Sequence, residues 1–146
     1  MTSATVIYDS DCGFCKVCLA VLLAWDRAGR KRGERGRPSP GDALRPLPLG
    51  AAEADRLLAD IPPEDRASSW HLVLDDGTLS SAGAGLAPAL RLLPGGRVPA
   101  AVFAHFPGAT ERGYRWVAGH RTFLGRFVPA GARRWADGVI TRSLYP

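Results

Sequence analysis

The stretch ATVIYDSDCGFCKVCLAVLLAWD, residues 4–26, leaves this chain few folds to choose from. Ala4 to Asp9 is a short β-branched and aromatic run closed by polar residues, the pattern of a buried strand. From Cys12 to about Asp26 the residues favour a helix, with Ser10 and Asp11 placed to cap it. A strand that runs into a helix and is followed by another extended segment makes a parallel strand pair.

The rest of the chain extends that unit. RAGRKRGERGRPSPG, residues 27–41, reads as a Gly, Pro and Arg loop that no core could hold. LRPLPL, Leu44 to Leu49, is apolar at alternate places but carries two prolines, which confines it to a sheet edge. AAEADRLLADI, Ala51 to Ile61, reads as a helix stopped by Pro62 and Pro63. SWHLVLDDGTLSSA is a hairpin, with DDG turning between Trp70–Leu74 and Thr78–Ser81. AGLAPALRLLP forms a further helix, with Pro88 in its first turn and Pro94 ending it. VPAAVFAHF and TERGYRWVAGHRTFLGRF are helical pieces, followed by a tail that ends in WADGVITRSLYP.

The expectation is therefore an α/β fold with a small mixed sheet, its first strands parallel and its hairpin antiparallel, flanked by helices. One domain spans residues 1–146, with a core at about 4–94 and a helical C-terminal extension at about 98–146. A chain of 146 residues is long enough for one such domain and short for two.

Three cysteines within seven residues cannot staple distant loops together, so they point to local chemistry. The N-terminus shows no basic region followed by an apolar run and a cleavage site. The longest apolar run, Val17 to Trp25, is about half of the roughly 20 residues that cross a bilayer. A cytoplasmic protein without a membrane partner is the expectation. The formal charge of +5 is weak evidence for nucleic acid, a partner the sequence does not favour. The basic stretch Arg27, Arg30, Lys31, Arg32, Arg35 and Arg37 could meet phosphate or an acidic partner, or simply be a solvated connection. It lacks the interleaved aromatics of single-strand binders.

At the start of a helix, Cys12 would meet free N–H groups and the positive end of the helix dipole, which favour a thiolate. Such a setting brings a cysteine pKa from about 8.5 down to roughly 3.5–7.5. Cys15 lies one turn further on, close enough for a disulfide while Cys12 is still in the non-helical cap. The chemistry this allows is exchange: Cys12 attacks a disulfide and Cys15 resolves the mixed disulfide, leaving the pair oxidised. Phe14 between them adds an apolar docking element. Asp9 and Asp11 would each disfavour a nearby thiolate, and one of them could accept the proton that Cys15 releases. Their structural alternatives are a strand-closing turn for Asp9 and a helix cap for Asp11.

Cys18 is rotated by roughly 120° from Cys12 and lies about 9 Å along the axis, so it cannot easily join that disulfide. It reads as a small buried hydrophobe, or else as a second resolving thiol. A zinc site needs ligands converging from two places, and His71, His105 and His120 are scattered without paired spacing. An iron–sulfur cluster would want a fourth cysteine. No cofactor beyond a redox-active Cys12–Cys15 disulfide is expected.

YDSDCGFC resembles the opening strand and D-x-x-C-x-x-C motif of the DCC family of predicted thiol-disulfide oxidoreductases, with Asp9, Cys12 and Cys15 on the motif's named positions. DRAGR, HLVLDDG, LAPALRLL and YRWVAGHR are similar to later landmarks of that family and follow in the same order, over about residues 5–127. Tyr114, Trp116 and Arg121 fall on the last of these signatures. Ser10 stands where the family usually has glycine, and Cys18 is additional. The resemblance implies a thioredoxin-like fold and a thiol-disulfide exchange reaction on a protein or small-molecule disulfide or dithiol. A thioredoxin-like module that senses redox state or docks a partner without catalysis is the other class of reading. The late helices would pack over the sheet and cover one side of the site, with Tyr114 and Trp116 expected in the core, the alternative being that they contact substrate.

Overall fold

The computed structural model describes residues 3–33 and 43–145. Strand β1 (Ala4–Tyr8) lies inside a four-stranded sheet of order β2-β1-β3-β4. It runs parallel to β2 (Leu44–Pro48), with Val6 opposite Pro46. On its other side it runs antiparallel to β3 (His71–Leu74), which pairs antiparallel with β4 (Leu79–Ser81). The expected α/β fold, with its parallel first strands and antiparallel hairpin, is present.

The prolines explain why β2 sits at the edge. The Leu49 N–H donates to Tyr8 O at 2.9 Å, so the odd positions of β2 bond inward and Pro46 and Pro48 face the open edge. Proline has no N–H to lose there. The one outward-facing donor at the strand's start, the Leu44 N–H, is met by Oδ2 of the buried Asp26 at 3.1 Å.

Helix α1 spans Gly13–Gly33, seven residues beyond the end expected at Asp26. The segment that looked like the start of an arginine-rich loop is therefore helical through Gly33, and the rest of that loop lies outside the described residues. Arginine, lysine and alanine are good helix formers, and the glycine that suggested a break serves a different need. A Cβ on Gly29 would stand 1.9 Å from Pro94 Cγ, so glycine is what lets α1 pass the end of the later helix. The Arg27 guanidinium donates to Ser143 Oγ, tying α1 to the C-terminal segment.

Helix α2 is shorter than expected, Ala52–Leu57, and Pro63 opens a separate short helix α3 (Pro63–Arg66) instead of merely ending the previous one. Proline suits a first turn, where its missing N–H has no intrahelical partner. The hairpin turns through Gly77 at φ +84°, with Asp76 Oδ1 accepting the Thr78 N–H at 2.8 Å. A 3₁₀ turn (Ala82–Gly85) leads into α4 (Leu86–Leu92), where Pro88 lies in the first turn. Helices α5 (Arg97–His105), α6 (Pro107–Gly119), α7 (Arg121–Gly125) and α8 (Ala130–Leu144) complete the chain.

Alternation along β1 divides the core between the two faces of the sheet. Val6 and Tyr8 face Leu19, Ala20 and Leu23 of α1, and this cluster also takes in Ala100 of α5 and Ala136, Val139 and Ile140 of α8. Ile7 faces Leu47, Ala54 and Leu58 on the other side. The C-terminal helix, part of the expected helical extension, packs its apolar side along α1. No described helix is long and apolar enough to cross a membrane.

Candidate functional site

The chain leaves β1 at Tyr8 and turns on Asp9. Asp9 Oδ1 accepts the Asp11 N–H at 2.9 Å, and its carbonyl accepts the Cys12 N–H at 3.4 Å. The Cys12 carbonyl then takes the Lys16 N–H at 3.0 Å, the first bond of α1. Cys12 is therefore the residue at the N-cap, and its sulfur does the capping: Cys12 Sγ accepts the Cys15 N–H at 3.3 Å. Asp11 is not the cap that the sequence led us to expect. The turn on Asp9 spends the Asp11 N–H and leaves Asp11 exposed, one residue short of the helix.

Cys12 and Cys15 are thus neighbours at the positive end of α1, compatible with a Cys-x-x-Cys pair, and both thiols are free and partly buried. Their surroundings differ. The Cys15 thiol is pushed up to about 12, first by burial, then by its hydrogen bond to the Cys12 sulfur and by the charge there. Arg121 acts in the opposite direction on Cys15, by charge and by hydrogen bonding. The same guanidinium stands 3.8 Å from Asp9 Oδ2, so it sits between the carboxylate at the end of β1 and the second cysteine.

Two cavities meet at this pair. The larger, of about 670 Å³, has Cys15, Cys18 and Leu22 of α1 on one wall, Phe103, Phe106 and Val117 opposite, and Val6 and Tyr8 as its floor. It is overwhelmingly apolar. The smaller, of about 380 Å³, holds Cys12 together with Asp9, Asp11, Arg121, Arg126 and Arg133. Phe14, Asp9 and Arg121 border both, so Phe14 does stand beside the cysteines as an apolar wall.

Cys18 is not the buried residue expected. It is exposed on the wall of the apolar cavity, and desolvation there followed by the charge on Cys12 raises its thiol pKa. Residues three apart on a helix share a face, so Cys18 follows Cys15 toward the cavity. Leu19, Ala20 and Leu23 take the stripe that meets the sheet.

The late helices do cover one side of the site, with different residues inside and out than expected. Tyr114 is half-buried, its hydroxyl accepting the Trp70 N–H at 3.1 Å, and it lines the apolar cavity. Trp116 is exposed and stacks on His120, because it lies two residues along the helix from Tyr114 and so points away from the sheet. Ser69 and Trp70, which lead into β3, line the same cavity as Cys15, and no peptide bond among the described residues is cis.

The three histidines lie apart. His71 is buried on β3, its Nε2–H placed to donate to Arg66 O at 2.9 Å and its Nδ1 to accept from the Ser81 hydroxyl at 2.6 Å. Burial lowers its pKa, keeping it neutral. His105 and His120 are on the surface of the late helices. Among the described residues no three His, Cys, Asp or Glu side chains are placed to hold a metal ion.

Sequence reasoning gave no chemical role to Arg121, Arg126 or Arg133. Arg121 was visible only as part of the YRWVAGHR signature, and nothing in the sequence marked the other two. Comparison of the chain with protein-family models, with curated proteins and with solved structures finds no match in any of the three.

Proposed function

We propose that this protein is a thiol-disulfide oxidoreductase in which Cys12 attacks and Cys15 resolves. The observation that carries the reading is the inequality of two adjacent thiols. Cys12 Sγ sits at the helix N-cap as a hydrogen-bond acceptor, while Cys15 is held protonated at about 12. A sulfur that accepts at a helix N-cap, beside a thiol that keeps its proton, is placed as the attacking member of the pair.

Exchange then runs in two steps. The Cys12 thiolate attacks one sulfur of a disulfide, the substrate S–S bond breaks, and one half departs as a thiolate that takes a proton from water. In the resulting mixed disulfide Cys12 no longer carries charge, so two of the three influences that raise Cys15 are gone and Arg121 remains. Cys15 can now lose its proton, with Asp9 on the edge of the same cavity as the acceptor. It attacks Cys12 Sγ, forms the Cys12–Cys15 disulfide and releases the second half. Two electrons have passed from the dithiol to the substrate, and no cofactor besides the cysteine pair takes part.

The sheet order, with the cysteine pair between β1 and the helix leading to a parallel neighbour, is compatible with a thioredoxin-like frame, and the resemblance of YDSDCGFC to the DCC motif points the same way. The test is mass spectrometry after thiol alkylation across a series of dithiothreitol potentials, combined with insulin reduction. A Cys12–Cys15 pair that titrates reversibly and reduces insulin supports the enzyme. A pair that never forms a disulfide leaves the non-catalytic module as the reading.

A further inference from the structure

Resting on that reading, we infer that the small cavity at Cys12 binds the half of the substrate that becomes disulfide-linked to Cys12, and that this half is a low-molecular-weight thiol compound carrying carboxylate groups.

The direction of the resolving step places the ligand. Displacement at a disulfide sulfur is collinear: the entering sulfur, the attacked sulfur and the leaving sulfur lie in line. Cys15 approaches Cys12 from the apolar cavity, which it lines and Cys12 does not. The group expelled from Cys12 Sγ must therefore lie on the other side of that sulfur. That side is the second cavity, which Cys12 lines and Cys15 does not.

The walls of this second cavity set the chemistry of its occupant. Arg121, Arg126 and Arg133 converge there from α7, its C-terminal end and α8, against Asp9 and Asp11. Arg121 is matched by Asp9. Arg133 is anchored by its donation to Gly125 O at 2.6 Å, and it lies over Gly13, its Nε 3.5 Å from where a Cβ would stand. Its guanidinium thus lies beside Gly13, the residue after Cys12, on the wall of this cavity. Arg126 has no ion-pair partner among the described residues. Once Cys12 has entered a mixed disulfide it contributes no charge, and the arginines outnumber the aspartates. Guanidinium groups match carboxylates in geometry as well as charge. The volume, about 380 Å³, falls within the range of roughly 300–1,000 Å³ typical of small-molecule sites.

The electron balance follows the reaction above: one disulfide bond of the small molecule breaks, the Cys12–Cys15 bond forms, and two thiols leave. A separate dithiol returns the pair to the reduced state and is itself oxidised to a disulfide.

Three symmetrical disulfides test the inference: dithiodipropionate with two carboxylates, bis(2-hydroxyethyl) disulfide without charge, and cystamine with two ammonium groups. Each kcat/KM is divided by the rate of the same disulfide with free dithiothreitol, which removes differences in leaving-group acidity. The wild-type protein is expected to favour the dianion over the dication by about tenfold, the scale of one or two partly exposed charge pairs. High salt should shrink that preference. The charge reversal Arg126→Glu with Arg133→Glu should invert it, and Arg126→Gln alone, at an exposed position, should reduce it with little demand on folding. A wild-type ratio near one, or a ratio that survives charge reversal, overturns the inference while leaving the exchange reaction in place. Insulin reduction without exchange with any of the three overturns this inference alone, and absence of exchange with insulin as well overturns the redox reading together with it.

Discussion

Arg121, at the start of α7, reaches back to within 3.8 Å of Asp9 at the end of β1, more than a hundred residues earlier in the chain. The same guanidinium lowers the Cys15 thiol against the burial that raises it. The late helices thereby bring a positive charge to the side of the pair where Cys15 lies.

Replacing Arg121 by methionine should therefore slow resolution more than attack. With the positive charge gone, Cys15 gives up its proton less readily in the mixed disulfide, and resolution should slow severalfold while attack changes little. Rapid acid quench followed by intact-protein mass spectrometry would show the Cys12 mixed disulfide accumulating in the variant. Arg121→Lys should recover part of the rate. Equal slowing of both steps would mean that Arg121 serves only to hold the fold.

The raised Cys15 pKa has a consequence for stability. A thiol whose folded value lies above its ordinary value stabilises the fold fully below the ordinary value and loses that contribution as pH climbs toward the folded one. For the reduced protein this window runs upward from the ordinary thiol range to about 12. Guanidinium unfolding midpoints should fall more steeply above pH 9 in the reduced wild type than in Cys15→Ser or in the oxidised protein. Parallel curves for all three would remove Cys15 as the cause.

Gly29 offers a test of packing. In an open helix, glycine to alanine gains about 1 kcal/mol. Here the new Cβ would meet Pro94 Cγ at 1.9 Å, so α1 and the segment after α4 must part. Gly29→Ala should destabilise by about 1–3 kcal/mol, the cost of overpacking, readable as a lower urea midpoint. A stabilised variant would show that α1 and Pro94 do not approach so closely.

That position also shows where sequence reasoning stops. The first strand, the hairpin and the edge strand were legible, because alternation, turn chemistry and proline act locally on the backbone. The end of α1 was not, since Gly29 answers to Pro94, a neighbour far along the chain. The exposure of Cys18 follows from which helix stripe wins the sheet, a contest settled by Leu19, Ala20 and Leu23. At the site, Cys12 and Cys15 were identifiable from spacing, and Asp9 from its place at the strand end. The capping role falls to Cys12 and not Asp11 because the turn on Asp9 takes the Asp11 N–H, a register set by the fold of the loop. Arg126 and Arg133 gained their meaning when α7 and α8 folded back against the start of α1.

The proposed exchange depends on two adjacent thiols of unlike character, and residue-resolved alkylation measures that difference directly. The reduced protein is mixed with iodoacetamide at neutral pH, quenched at intervals and digested, and the modified fractions of Cys12 and Cys15 are followed separately by mass spectrometry. Cys12 is expected to react at least about a hundred times faster than Cys15, whose proton is held through the neutral range. Equal rates, or faster reaction at Cys15, would contradict the proposed exchange.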